Sequence, residues 1–410
     1  MGHVQDRWWK EVKDPVTKKV ARVKTSLHGV GLRYKVRYLD PQGEERSKSF
    51  PDRQKKRADD FLISVESDKR EGKYVDPKAG EIKFSQYVPT WFGGQSQDAA
   101  TQENLHNQVN NRLVPFFGET SMSRIDIPRV REWIGWLGEE NLSLTYQQLL
   151  FDRLSSILNA AIEEKIIRSN PCKARSVQRP SPPQRRVTPW PEARMHAVRL
   201  ALPAEYKLGV VLAGGCGLRQ GEVFGLAVED IDREARDLHV VRQVRIVGNR
   251  LVFALPKSKR ARTVPLGDGV LAALDDHMET NPPVEVTLPF DRPDGEPMTA
   301  RLILTADGEA IRRQTFNMGV WRPAFATAGL EYRKQEDGMH GLRHLYASSQ
   351  LENGVSIKAL SVNLGHSDPG FTLRVYTHLM PSSHDKSRKA VDRLFKPKKG
   401  KRRADGLETA

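Results

Sequence analysis

Residues 340–381 read HGLRHLYASSQLENGVSIKALSVNLGHSDPGFTLRVYTHLMP, a stretch that combines helical apolar spacing with a few widely spaced polar side chains. His340 and Arg343 are three residues apart, so a helix would place them on one face. His366 follows a Leu-Gly step, and Tyr376 comes ten residues later. Because each of these residue types also occurs in ordinary packing, the rest of the chain has to decide their meaning.

The length, charge and cysteine content of the chain restrict the number of domains and the classes of partner that can be expected. A chain of 410 residues predicts two or three domains. The net charge of +15 favours a polyanionic partner, and nucleic acid is the leading choice. No apolar run approaches the ~20 residues of a spanning helix, so no membrane partner is expected. Cys172 and Cys216 fit no metal or redox spacing, which predicts structural thiols in a reducing cytoplasm.

Residues 1–80 form the first predicted domain, a small β-rich unit followed by a helix. In GLRYKVRYLDPQGEERSKSF, alternate residues form an apolar face: Leu32, Tyr34, Val36 and Tyr38. The opposite face is cationic, with Arg33, Lys35 and Arg37. Such a face can contact DNA in the major groove, although a solvated strand face has the same composition.

Residues 81–174 predict a helical bundle as the second domain. IPRVREWIGWL is amphipathic, and LLFDRLSSILNAAIEEKII has one apolar stripe that we expect to end at Asn170-Pro171. A linker rich in proline and arginine follows at 175–189, and the charged tail 396–410 is expected to be disordered.

Residues 190–395 form the third predicted domain, which is mainly helical with a small antiparallel sheet. DLHVVRQVRIV, the turn Gly248-Asn249 and RLVFALP indicate strands, followed by a basic loop and RTVPL. Helices are expected from Leu266 to the C-terminus, the last in SSHDKSRKAVDRLF. The fold class is therefore α+β multidomain.

Several catalytic motifs are missing from the sequence. It has no HExxH, CxxC pair, P-loop or GxSxG, and no convincing carboxylate cluster for a metal-dependent nuclease. GGCG at 214–217 is better explained by close helix packing than by phosphate binding.

Four short motifs occur in order in the third domain: GLRQGE, a lysine loop before TVPL, HGLRH, and LGHSDPGFTLRVYTH. In this order they resemble the signature of the tyrosine recombinase (integrase) family. The resemblance covers the third domain and extends more loosely to the second, which is similar to the helical core-binding domain. The first domain resembles the three-stranded arm-binding domain of phage-type integrases, which implies a three-stranded sheet plus helix.

The resemblance implies a metal- and ATP-independent reaction without a cofactor, in which a tyrosine attacks a DNA phosphodiester and forms a 3′-phosphotyrosyl link. Tyr376 would be the nucleophile. A phenol with a pKa near 10 is only ~0.1% ionised at neutral pH and needs assistance. Arg219 and Arg343 would bind the non-bridging phosphate oxygens and neutralise transition-state charge.

The remaining roles follow from the same resemblance. His340 would assist proton transfer, most directly for the proton of the nucleophile. Lys257 would protonate the leaving 5′-oxygen, with Lys259 as the alternative lysine. His366 would donate a hydrogen bond to the phosphate, and Glu222 would orient these groups.

Three further residues in these motifs have weaker assignments. The family more often has Asp where this chain has Gly341, a difference expected to affect stability more than rate. His344 and His378 are expected to be structural.

The predicted function is a site-specific recombinase, an integrase of a phage or integrative element. Double-stranded attachment-site DNA, a homotetramer on that DNA, a host DNA-bending factor and an excisionase are the implied partners, in the nucleoid of a bacterial cytoplasm. A chromosome- or plasmid-dimer resolvase of the Xer type, a non-catalytic DNA-binding regulator and a metal-dependent nuclease are the alternatives.

Overall fold

The computed structural model describes residues 2–13, 18, 20–183, 187–379 and 384–395. The chain divides into two compact units, one of residues 1–97 with 101–183 and one of residues 98–100 with 184–410. The finer domain boundaries inferred from the sequence stay predictions. The tail 396–410 and linker residues 184–186 lie outside the described residues.

The N-terminal part of the first unit is a sheet covered by a helix. Its strands are β1 (His3–Asp6), β2 (Trp9–Lys13), β3 (Val20–Lys24), β4 (Tyr34–Leu39) and β5 (Glu45–Phe50), followed by α1 (Lys55–Arg70). The antiparallel order β1-β4-β5 confirms the three-stranded sheet, and β2 with β3 forms a separate hairpin that was not predicted.

The prediction of an apolar face on β4 is confirmed for three of its four residues. Tyr34, Val36 and Tyr38 are buried against Ala58 of α1. Leu32 does not belong to this face, because it precedes the first residue of β4 and is 42% exposed.

The rest of the first unit is helical, as predicted. Its helices are α2 (Phe84–Gly93), α3 (Ala99–Gln108), α4 (Val114–Phe117), α5 (Ile127–Glu139) and α6 (Leu144–Glu163). The Ser143 side chain accepts a hydrogen bond from the Tyr146 amide and caps α6. The predicted end of α6 at Asn170 is wrong. The helix ends at Glu163, and Lys165, two residues later, has a left-handed φ of 59°. The side-chain amide of Asn170 donates a hydrogen bond to the carbonyl oxygen of Ser155 at 3.0 Å.

The second unit begins with helices and a strand region. Its first part contains α7 (Glu192–Ala201), α8 (Lys207–Gly215), α9 (Gln220–Phe224), β6 (Ile231–Asp232), β7 (Asp237–Val240), β8 (Gln243–Val247), β9 (Arg250–Ala254) and β10 (Arg262–Pro265). β10, β7 and β6 form one antiparallel sheet, and β8 pairs with β9. The β8–β9 turn confirms the prediction, since Gly248 and Asn249 both have positive φ, 52° and 60°.

The second part of this unit carries most of the signature motifs. It contains α10 (Asp268–Thr280), β11 (Val284–Pro289), β12 (Pro297–Leu302), α11 (Arg313–Phe316), α12 (Arg322–Thr327), α13 (His340–Glu352), α14 (Ile357–Leu364), α15 (Pro369–Tyr376) and α16 (His384–Phe395). The expectation of helices throughout after Leu266 is wrong, because β11 and β12 form an antiparallel hairpin. VEVTLP alternates apolar and polar residues, a period-two pattern that favours a strand.

One large apolar core holds the second unit together, and a smaller cluster surrounds Tyr376. This smaller cluster includes Tyr346, Leu360 and Leu364. It therefore fixes α13, α14 and α15 around the tyrosine. Within the described ranges, no helix is long and apolar enough to cross a membrane.

Candidate active site

The GCGLR segment helps to position Arg343, the arginine of the HGLRH motif. Gly217, after α8, has a left-handed φ of 65°, and a Cβ there would lie 2.5 Å from the Tyr346 ring. Glycine is required for both reasons. The Gly217 carbonyl accepts a hydrogen bond from Arg343 Nη1 at 2.6 Å. Close helix packing, as predicted for GGCG, therefore also anchors a candidate catalytic group.

Arg343 is held from several sides. Its side chain is buried, and Nη2 donates to the Leu364 carbonyl and contacts His366 Nε2 at 3.1 Å. Burial and the nearby charge of Arg219 lower the pKa of Arg343 to about 9, so the guanidinium stays charged at neutral pH. A fixed, desolvated cation of this kind is suited to a phosphate oxygen.

The Leu-Gly-His step is a helix end that directs a histidine to Arg343. Gly365 ends α14 with a left-handed φ of 63°, and a Cβ there would lie 2.9 Å from Arg262 Cδ. Because arginine only donates, His366 Nε2 accepts from Arg343, which places the ring proton on Nδ1, 2.7 Å from Thr372 Oγ1. Burial, followed by the charge of Arg343, lowers the pKa of His366 to about 4.

Glu222 links two arginines at the other side of the site. Arg219 is the residue immediately before α9. Glu222 accepts from the Arg219 amide and from its Nη1, both at 2.9 Å. It also accepts two hydrogen bonds from Arg262, at 2.9 and 2.7 Å. Glu222 is therefore in contact with Arg219, and its orienting role stays a prediction.

Arg262 was missed by the sequence analysis. Its side chain is 4% exposed, and Nε donates to the Asn363 carbonyl at 2.8 Å. Burial alone would raise the pKa of Glu222, but hydrogen bonds and charge from Arg262, with the charge of Arg219, lower it to about 2. The only sequence signal was an arginine that opens the short RTVPL strand, and such residues are commonly surface cations.

Tyr376 is buried at the end of α15. It is 2% exposed, and its Oη lies 2.7 Å from Nδ1 of His344. Burial raises the pKa of Tyr376 to about 12, although the charges of Arg343 and Arg219 act to lower it. The phenol is therefore protonated at neutral pH and shares a hydrogen bond with the imidazole. The prediction from the sequence differs, because it gives the proton of the nucleophile to His340 and a structural role to His344.

His340, the first residue of α13, stands beside this pair. Its ring centroid is 4.6 Å from that of His344. Burial and then the charges of Arg343, Arg219, His366 and Lys257 lower the pKa of His340 to about 4. The His340 side chain is exposed to solvent at the start of the helix.

Lys257 is exposed in the loop between β9 and β10. Its charge acts to lower the pKa of His340, and the choice between Lys257 and Lys259 stays a prediction. Lys259 lies two residues further along the loop, in a left-handed conformation with φ 55°.

Gly341 packs closely against a buried tryptophan. A Cβ at Gly341 would lie 2.7 Å from Nε1 of Trp190, a residue that is 4% exposed and stacks on Trp321. The indole occupies the space that an aspartate would need. Close packing against Trp190 is a reason for glycine at this position, and the expected effect of the missing aspartate on stability stays a prediction.

The predicted cationic face is partly neutralised, and only Lys35 and Arg37 lie within β4, because Arg33 precedes its first residue. Arg33 forms ion pairs with Asp6 and Asp52, both at 2.9 Å, and Arg37 pairs with Glu45 at 2.8 Å. Lys35 has no ion pair within the described part of the chain. DNA contact by these three residues stays a prediction.

The two cysteines form no disulfide within the described ranges. Cys172 and Cys216 are free and buried, and burial raises the pKa of each thiol to about 12. Within those ranges, no group of three or more His, Cys, Asp or Glu side chains could hold a metal ion.

A buried tyrosine under the influence of two arginine charges, on a mainly α domain with short antiparallel sheets, suits covalent transfer of a DNA strand. Residues 192–383 match the phage integrase family. These residues form a domain of the tyrosine recombinase (integrase) family, whose enzymes cleave and rejoin DNA by transesterification.

Similar proteins support the same family. A tyrosine recombinase XerC-like protein of Caldanaerobacter subterraneus subsp. tengcongensis is 26% identical over 382 residues, covering 87% of this chain and 94% of the relative. The integrase of Mycobacterium phage D29 is 25% identical over 301 residues, covering 72% and 75%. The fold resembles lambda integrase in a tetramer bound to a Holliday junction, with a TM-score of 0.56, 16% identity and coverage of 84% and 92%.

Proposed function

We propose that this recombinase is an integrase that inserts and excises a phage or other integrative element through a phosphotyrosyl link to Tyr376. The observation that carries the proposal is the position of that phenol, buried and within the electrostatic reach of Arg343 and Arg219. The bond energy of the cleaved phosphodiester would be kept in the link, so a second DNA end could reverse the step without ATP.

The arginine pair would bind the scissile phosphate. Both guanidiniums can grip non-bridging oxygens, and one preorganised donor of this kind is worth roughly 3–4 kcal/mol in a transition state. His366 would supply a further donor. For that, its Nε2 must carry the proton, so Nδ1 would then accept from the Thr372 hydroxyl instead of donating to it.

Lys257 would protonate the 5′-oxygen as it leaves. An exposed, flexible ammonium in a loop can follow the strand end without disturbing the buried arginines. The influence of Lys257 on the pKa of His340 favours it over Lys259.

The partners follow from the reaction and from the relatives. The enzyme would act on double-stranded attachment sites as a homotetramer, the form in which lambda integrase is bound to a Holliday junction. The domain at 1–80 would bind additional DNA through Arg33, Lys35 and Arg37. An excisionase and a host DNA-bending factor would set the direction of the reaction. The likeness to a phage integrase favours this function over dimer resolution.

The test begins by mapping covalent adducts on host and element DNA and building a nicked suicide substrate from the mapped site. The wild-type chain should form an adduct that survives a chelator. Tyr376→Phe should form none while binding the same DNA. Tyr346→Phe is the matched control, because it removes a hydroxyl from a buried tyrosine of the same cluster. An adduct with Tyr376→Phe, or loss of the adduct with chelator, contradicts the proposal.

A further inference from the structure

The nucleophile of the proposed reaction has a specific hydrogen-bond partner. His344 Nδ1 lies 2.7 Å from Tyr376 Oη, and the two rings are 5.7 Å apart with an interplanar angle of 59°. His344 lies in α13, between Arg343 and the apolar residues that pack the helix. The same turn therefore carries a phosphate-binding candidate and the imidazole that touches the phenol.

The short contact places Nδ1 of His344 where it can accept the phenolic proton. Burial raises the pKa of the phenol, and burial with the charges of His340 and Arg343 lowers the pKa of His344 to about 4. With both groups neutral, the phenol donates to Nδ1 when the hydrogen of the His344 ring is on Nε2, and this is the tautomer that the proposal requires. This is the arrangement that a general base needs before a proton is transferred.

Binding of the scissile phosphate would increase the basicity of His344. In the free chain, the positive charge of Arg343 opposes a proton on its neighbour. A phosphate anion bound to that guanidinium would offset this repulsion, since an opposite charge nearby favours the protonated form. Proton acceptance would therefore be coupled to the arrival of DNA.

We propose that His344, rather than His340, is the catalytic base for Tyr376. This inference rests on the proposed function. As Oη forms its bond to phosphorus, the phenolic proton moves to Nδ1 of His344, the bond from phosphorus to the 5′-oxygen breaks, and Lys257 gives that oxygen a proton. In rejoining, the 5′-hydroxyl returns its proton to Lys257 as it attacks, and His344 returns the other proton to the departing phenolate.

Two substitutions separate proton transfer from simple positioning. His344→Asn keeps a hydrogen-bond acceptor close to the position of Nδ1 but cannot hold a proton at neutral pH, and His344→Ala removes both properties. We expect both variants to bind DNA and to cleave the suicide substrate roughly 10²–10⁴-fold more slowly in single turnover. If His344→Asn cleaves like the wild type, His344 only positions the phenol and the proposal is wrong.

A more acidic nucleophile provides the second measurement. Replacing Tyr376 with a fluorinated tyrosine lowers the need for a base, because a larger fraction of the phenol ionises without help. The loss caused by His344→Ala should then shrink at least tenfold. If His344→Ala slows cleavage equally with tyrosine and with fluorotyrosine at position 376, the proposal is wrong. Lower stability of the alanine variant does not affect this test, because it is present with both phenols.

A leaving-group control distinguishes the base from the acid. A 5′-bridging phosphorothiolate leaves as a thiolate and needs no proton, so it should rescue Lys257→Ala but leave the His344→Ala defect in place. Rescue of both variants would contradict the assignment. If the wild-type chain forms no adduct at Tyr376 at all, the proposed function fails, whereas a normal adduct with an unimpaired His344→Ala contradicts only the assignment of the base.

Discussion

The link between Glu222 and its two arginines leads to a quantitative prediction for Glu222→Gln. The carboxylate is buried and accepts four hydrogen bonds, two from Arg219 and two from Arg262. The amide of glutamine keeps one oxygen and turns an NH₂ group toward guanidinium donors. Arg262, whose side chain is 4% exposed, would lose its counter-charge.

Two estimates of the cost agree. Lowering the pKa of Glu222 from 4.5 to about 2 corresponds to about 3 kcal/mol of folding free energy at neutral pH. Removing one partner of a buried ion pair typically costs about 3–5 kcal/mol. Since the native pKa is depressed, this stabilisation is complete above pH 4.5 and is lost as the pH falls toward 2. The difference between variant and wild type should shrink over that range.

The assay is urea unfolding of the full chain, read by hydrogen exchange of amides around α8 and α9. Glu229→Gln is the matched control, because Glu229 pairs with Arg301 at 2.6 Å in an exposed position. Exposed pairs contribute about 0–1 kcal/mol. DNA cleavage by Glu222→Gln should also fall, roughly 10–100-fold, because Arg219 loses its support. Equal losses for both variants, or a Glu222→Gln loss unchanged at pH 3, would refute this reasoning.

The loop lysines and the special glycines give further tests. Lys257→Ala should slow cleavage by roughly 10²-fold or more while Lys259→Ala changes it only slightly, and the reverse order would reassign the acid. Gly341→Asp should lower stability by about 1–3 kcal/mol in thermal unfolding, because the indole beside it must move, and an unchanged Tm would contradict that packing. Gly365→Ala should cost about 1–2 kcal/mol for the left-handed backbone, whereas Gly319→Ala, with open space around it, should not destabilise; equal Tm values would reject the helix-end argument.

Local sequence patterns determined much of this protein. Alternation predicted β4, the Gly248-Asn249 pair predicted the β8–β9 hairpin, and the order of the motifs predicted the family. These features depend on neighbouring residues, because strand alternation, turn conformation and helix faces are properties of short segments. The β11–β12 hairpin was missed even so, since its alternation was not recognised between two helical regions.

The contacts within the site depended on tertiary structure. Glu222 accepts hydrogen bonds from Arg262, which is 40 residues away in sequence. Arg343 donates to the carbonyl of Gly217, which is 126 residues away in sequence. The partner of Tyr376 is a further case. His340 and His344 lie one helical turn apart, and only the packing of α15 against α13 brings Nδ1 of His344 to the phenol. The sequence alone specified which chemical groups are present, but their pairing depends on how distant segments pack, which short-range patterns do not encode.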